Sequence, residues 1–371
     1  MSADSSGGIE KLIRSHLSAF AGYSASTSPE TLKGKVEVPV EGIIKLDANE
    51  NPYGCSPKVT DALADYADFS VYPDNGQAEL RGMLAEYTGA EAGRIVASGG
   101  SNQLIDLIVR LFVGADDEVI NCVPTFDVYR FSTDICGGKT VDVPRDEDFA
   151  VNVKSVKAAV SPNTRLIFLA NPNSPTGNLT PQEDILEILD MGLPTLVDEA
   201  YYEFSGETVV PLTSRYQNLM VLRTFSKWAG LAGLRVGYGI FPPKIAAYLM
   251  AIKMPYNVNV AAHLAVRESL KDIDYLRDKV KAIIAERERL LAELGNIDFL
   301  KPFPSRGNFI LCRVLRGEAK ELHQKLQSKG ILVRYFDKPL AQNCIRISVG
   351  KPEHTDAVIK ALRELGGETG G

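Results

Sequence analysis

Between residues 94 and 227 the chain alternates short β-branched runs with longer stretches whose apolar residues recur at helical spacing. "RIVASGG" (94–100) reads as a strand running into a Gly-Gly turn, and "SNQLIDLIVRLFV" (101–113) as the helix that follows. "DEVINCVPTF" (117–126) is a strand stopped by proline, and "TRLIFLANPNSPTG" (164–177) is a buried strand entering a Pro/Gly turn. "PQEDILEILDMG" (181–192) predicts a helix with proline in its first turn. "PTLVDEAYYEF" (194–204) and "LMVLRTFSK" (219–227) predict two more strands. This β-α-β rhythm predicts an α/β fold with a mostly parallel central sheet and helices on both faces.

The texture changes near residue 261. "AAHLAVRESLKDIDYLRDKVKAIIAERERLLAELG" (261–295) predicts one long charged helix, broken at most once. "FILCRVL" (309–315), "GILVRYF" (330–336) and "CIRISVG" (344–350) predict strands of a smaller α+β domain, closed by the helix "HTDAVIKALRELGG" (354–367). The expected division is an N-terminal arm contributing to the small domain (1–52), a large domain (53–258) and a small C-terminal domain (259–371). Residues 8 to about 52 are expected to pack on the small domain or on a neighbouring subunit.

Composition narrows the function classes. The 371 residues are 45% hydrophobic and 24% charged, with a formal net charge of −6 and no block of basic residues. A nucleic-acid or anionic-membrane partner is therefore disfavoured. No apolar run approaches the ~18 residues of a membrane span, and "MSADSSGGIEKLIRSHLSAF" has no apolar h-region. Cys55, Cys122, Cys136, Cys312 and Cys344 form no CxxC pair, which points to free thiols in a reducing cytoplasm. The four histidines are scattered, and no metal site is expected.

Ligands of open α/β sheets bind beyond the carboxyl ends of the strands. Here those ends carry Ser98, Asn171 to Asn173, Asp198 and Lys227. Lys227 stands among Phe225, Trp228, Ala229 and Gly230. Burial there would favour a neutral amine able to attack a carbonyl, although a lysine whose stem covers apolar surface gives the same pattern. Asp198 closes an apolar strand and needs a cationic or hydrogen-bonding partner; a protonated pyridine nitrogen and a helix cap both qualify. "SGGSN" (98–102) offers backbone N–H groups at a helix start, a phosphate cradle in which Gly99 and Gly100 allow close approach. Ser226 and Arg235 add a hydroxyl and a guanidinium among small residues, which fits a bound anion or an internal ion pair. One ligand matches the whole set: an aldehyde-bearing, phosphorylated pyridine, pyridoxal 5′-phosphate.

"NPNSPTG" (171–177), "DEAYYEF" (198–204) and "TFSKWAGLAGLRVGYG" (224–239) resemble the motifs of fold-type I pyridoxal-phosphate-dependent aminotransferases, in order and spacing, over nearly the whole chain. "KLDANENPYG" (45–54), "YPD" (72–74) and "IRISVG" (345–350) resemble the histidinol-phosphate aminotransferase subgroup. The resemblance implies that Lys227 binds the cofactor aldehyde and carries the proton. It implies that Asp198 pairs with the ring nitrogen and that Tyr201 bonds the ring oxygen. Gly100, Ser101, Asn102, Thr224, Ser226 and Arg235 would hold the phosphate, with Tyr72 arriving from the second subunit of a homodimer. Arg346 would clamp the α-carboxylate, and Arg334 and Tyr23 would take the distal phosphate. The ring-stacking position after "PT" is Phe126 where the family carries tyrosine, and Ser174 stands where the family often has asparagine, so Asn173 is expected to supply that contact. The implied reaction is transamination between L-histidinol phosphate and 2-oxoglutarate. An aromatic amino-acid aminotransferase and a threonine-phosphate decarboxylase are the alternatives.

Overall fold

The computed structural model describes residues 8–18, 20, 22, 23, 28–36 and 38–368. Twelve strands appear among them. In chain order they are β1 (Ile44–Leu46), β2 (Ile95–Ser98), β3 (Glu118–Val123), β4 (Lys139–Pro144), β5 (Thr164–Ala170) and β6 (Thr195–Asp198). Then follow β7 (Leu219–Thr224), β8 (Gly237–Ile240), β9 (Leu300–Pro302), β10 (Phe309–Val314), β11 (Ile331–Phe336) and β12 (Cys344–Ser348). Seven form one sheet, in the order β2-β8-β7-β6-β5-β3-β4. Its pairings are parallel except for β8, which runs antiparallel to both β2 and β7. β2, β5, β6 and β7 bury almost every side chain on both faces, which is why their sequences read as continuous apolar runs without alternation.

The second sheet has five strands in the order β1-β11-β12-β10-β9. β1 comes from the N-terminal part of the chain and pairs in parallel with β11. One predicted boundary shifts, and the long charged helix has the single break allowed for it. The run 194–204 is a strand only to Asp198; beyond it the backbone turns into the short helix Tyr202–Ser205. The charged stretch after 260 is two helices, Val260–Lys271 and Ile273–Gly295, parted at Asp272. β1, β8 and β9 are short or glycine-bearing and show no clear period in the sequence.

One close approach locks the lysine-bearing turn to the N-terminal segment. Gly230 has φ +69°, and a Cβ there would lie 2.3 Å from the Gly54 carbonyl oxygen. Beside it, Asn51 donates to the Trp228 carbonyl at 2.8 Å, and the buried Trp228 ring stacks on Tyr87 at 5.6 Å. Both the left-handed backbone and the backbone contact exclude a side chain. Gly230→Ala is expected to destabilise the fold by at least about 2 kcal/mol, read as a lowered midpoint in urea unfolding.

Candidate active site

The carboxyl ends of β5, β6 and β7 open on one cleft of about 590 Å³. Lys227 lies three residues beyond β7, in a segment whose Phe225 and Trp228 are buried. Its Nζ donates to the Ala48 carbonyl at 2.8 Å. Burial, and next the guanidinium of Arg346, push its pKa down from 10.5 to about 7. Near neutrality a large share of this amine is unprotonated and nucleophilic.

Asp198 ends β6 and is 5% exposed. Its Oδ2 accepts from the Tyr129 hydroxyl at 2.8 Å and its Oδ1 from the Ala200 N–H at 3.1 Å. The Ala200 bond shows that the carboxylate does shape the local turn. No lysine or arginine forms an ion pair with it among the described residues. Burial raises its pKa to about 6, and the two hydrogen bonds only partly offset this. A dry carboxylate lacking a protein cation is suited to a cationic ring nitrogen.

Helix Ser101–Phe112 begins beside the cleft with no side-chain cap, so the N–H groups of Ser101 and Asn102 line a positive helix start. Gly100 precedes it at φ +90°, and a Cβ there would sit 2.5 Å from Arg235 Nη2. The glycine is thus required for the guanidinium to lie against the helix start. Arg235 has a left-handed backbone (φ 54°) and donates to the Ala232 carbonyl at 2.9 Å and toward Ser226 Oγ at 3.5 Å. The Thr224 hydroxyl bonds Ser226 Oγ at 3.0 Å, and both line the cleft. Two hydroxyls, two N–H groups and one guanidinium make an anion cradle.

Tyr201 faces the same space. Its hydroxyl accepts from Asn49 Nδ2 at 2.9 Å, and its ring packs edge-on to Phe309 at 5.1 Å. Phe126 lines the cleft, edge-on to Tyr129 at 5.7 Å. Arg346, buried between Phe309 and Phe336, donates to Ser174 Oγ at 3.1 Å and to the Asp47 carbonyl at 2.8 Å. Its Nε is buried with no hydrogen-bond partner among the described residues. Arg334 and Tyr23 line the outer part of the cleft.

Two expected residues lie elsewhere in this chain. Asn173 is fully buried and does not line the cleft. Its amide is consumed by donation to the Pro124 carbonyl and Thr176 and by acceptance from Thr125. Ser174 lines the cleft instead, after a turn with three cis X–Pro bonds nearby, at Val123-Pro124, Asn171-Pro172 and Ser174-Pro175. Tyr72 is 76% exposed and stacks on Tyr256 at 4.4 Å, away from its own chain's cleft.

Two residues escaped the sequence reading. Tyr129 bonds Asp198; it stands three residues after Phe126 at the start of a helix, a spacing that places both on one side. Asn49, with φ 55°, is held by Ser348 and Asn308 and in turn orients Tyr201. Its sequence signal is the "DANE" stretch (47–50).

In the cofactor-free protein, acylation of Lys227 followed by mass spectrometry is expected to rise with pH through a midpoint near 7. A midpoint at the ordinary lysine value of 10.5 would mean that the amine is not dehydrated.

Comparison with known proteins accords with this geometry. The profile of the family "Aminotransferase class I and II" matches residues 41–363. A histidinol-phosphate aminotransferase of Dehalococcoides mccartyi (strain CBDB1) is 54% identical over 358 residues, covering 96% of this chain and 99% of that protein. One from Roseiflexus castenholzii is 44% identical, with 96% and 99% coverage. Among solved structures, the histidinol-phosphate aminotransferase from Sinorhizobium meliloti in complex with pyridoxal-5′-phosphate superposes with a TM-score of 0.85 at 29% identity, covering 95% of this chain and 99% of that one. With a buried amine, a buried acid and an anion cradle meeting in one cleft, the chain belongs to the class I and II aminotransferases.

Proposed function

We propose that this protein transfers the amino group of L-histidinol phosphate to 2-oxoglutarate, giving imidazole-acetol phosphate and glutamate, with pyridoxal 5′-phosphate as cofactor. The observation that carries the reading is the uncompensated buried Asp198 facing the same cleft as the low-pKa amine of Lys227. The relatives' names support the choice of substrate. The residues present fit the cofactor. Asp198 offers an acceptor for the ring N–H, the start of helix Ser101–Phe112 with Thr224, Ser226, Arg235 and the space kept by Gly100 offers a phosphate seat, and Phe126 and Tyr201 offer a ring face and a hydroxyl.

When bound, the cofactor supplies an aldehyde for the substrate amine and a ring that draws electrons from Cα. The protein's own groups supply the rest. Lys227, once its amine is free, would carry a proton from the substrate Cα to C4′ of the cofactor, and from C4′ to Cα in the second half-reaction. Asp198 stays ionised beside a positive ring nitrogen, since an opposite charge lowers a raised carboxyl pKa. Arg346 takes the α-carboxylate of glutamate through a two-pronged contact. Arg334 and Tyr23 take the phosphate of histidinol phosphate.

We read residues 53–258 as the cofactor-binding domain, 259–371 as the small domain and 1–52 as an arm joined to it through β1. We further infer a cytoplasmic homodimer with shared sites, in which Tyr72 serves the partner's cofactor phosphate. Phe69, Val71, Tyr72, Met254 and Tyr256 are exposed, which supports a covered apolar face. No helix among the described residues is long and apolar enough to cross a membrane.

Lys227→Ala is expected to lower turnover by about 10⁴-fold or more while the cofactor remains bound without a covalent link; full activity would refute the mechanism. Comparing kcat/KM for histidinol phosphate, phenylalanine and threonine phosphate tests the substrate, and equal rates on phenylalanine would overturn the assignment. If sites are shared, mixing Lys227→Ala with Tyr72→Ala subunits yields more activity than either variant alone, because one site of each hybrid carries neither change.

A further inference from the structure

Four carboxylates line the cleft: Asp47, Glu50, Asp127 and Asp198. Three are accounted for. Asp198 faces the proposed ring nitrogen. Asp127 sits at the rim with its side chain 39% exposed and is paired with Lys338. Glu50, 45% exposed, holds Lys45 at 2.6 Å. Asp47 is different. It is 5% exposed, and its buried Oδ1 faces Lys45 Nζ. The cation near it, Lys45 at 3.1 Å, lies closer to Glu50. A buried carboxylate that lines the cleft and shares its near cation with a second acid is costly to keep unless a ligand adds to its satisfaction.

The register of the small sheet sets where this acid points. β1 pairs Leu46 with Val333, so Asp47 comes level with Arg334, and β11 pairs Arg334 with Arg346. Acid, arginine and arginine thus form one row across three strands, on the sheet face that lines the cleft. The two substrates of the proposed reaction differ along that row. Glutamate carries two carboxylates and no side-chain N–H. L-Histidinol phosphate carries a phosphate and an imidazole, whose N–H is a donor.

We propose that Asp47 is a specificity-determining residue whose carboxylate accepts the N–H of the substrate imidazole, beside arginines that receive the anionic groups of either substrate. This rests on the histidinol-phosphate reading above. With glutamate bound, Lys45 keeps Asp47 neutralised, so one site serves both side chains. A carboxylate that only balanced the arginines would support both substrates alike, because both are anions.

The test uses the holoenzyme and measures each half-reaction separately by stopped flow. In Asp47→Asn, the ratio of kcat/KM for L-histidinol phosphate to that for glutamate is expected to fall roughly ten- to hundredfold, the worth of a hydrogen bond to a charged group. A ratio within about threefold of wild type, with both substrates losing together, would overturn the proposal in favour of simple charge balance. The wild-type enzyme provides a second measurement that needs no folded variant. One of the two ring-N-methylated histidinol phosphates should lose at least about tenfold, and Asp47→Asn should shrink that loss. If both isomers react as well as the parent compound, no ring N–H is read and the proposal fails. If wild-type enzyme does not turn over L-histidinol phosphate at all, the functional reading falls and takes this proposal with it.

Discussion

A carboxylate at the end of a dry strand lowers stability unless something cationic meets it, and this site is organised around that unmet need. Asp198 receives two hydrogen bonds from its own chain and no ion pair among the described residues. The protein evidently does not resolve the tension by pairing it with Lys227, which bonds a carbonyl on the N-terminal segment. Amine and acid each remain in a disfavoured electrostatic state, the one pushed down and the other up. Groups held so far from their ordinary ionisation mark a place where chemistry outranks stability.

Rigid surroundings make that arrangement tolerable. The turn bearing Lys227 is locked by Gly230 against Gly54 and by Trp228 against Tyr87. Tyr129, which holds Asp198, stacks on the buried Phe168 of β5 at 4.5 Å. The buried pair of Arg223 and Glu199, 2.9 Å apart, ties β7 to the turn that follows Asp198. Each reactive side chain is thus carried by backbone whose position is fixed twice, once by the sheet and once by packing. This is the preorganisation that lets a site keep its geometry without ligand.

The central strands and the reactive residues could be read from the sequence because burial on both faces leaves long apolar runs, and because a polar residue at the end of such a run stands out. Asp198 and Lys227 are visible for that reason. What stayed hidden depends on distant pairings. β1 is three residues long and exists because β11 runs beside it. β8 carries two glycines, whose place is explained by contacts: a Cβ on Gly237 would meet the Ser101 N at 2.6 Å. The sequence does not reveal which of Asn173 and Ser174 faces the cleft, because a motif fixes the order of residues but not which way each side chain turns. Here the serine faces the cleft and the asparagine braces the loop from behind.

The parentage of β1 has a consequence for how the protein is made. This short strand is made before every strand of the large sheet, yet its strand partner among the described residues, β11, follows all of them. The seven-stranded sheet can be completed once β8 has emerged, while β1 and the cleft-lining residues just after it wait for β11, about ninety residues later. Contacts so far apart in sequence form slowly. Vectorial synthesis therefore leaves the cofactor seat half-walled until β11 has emerged, well after the seven-stranded sheet that carries the reactive residues.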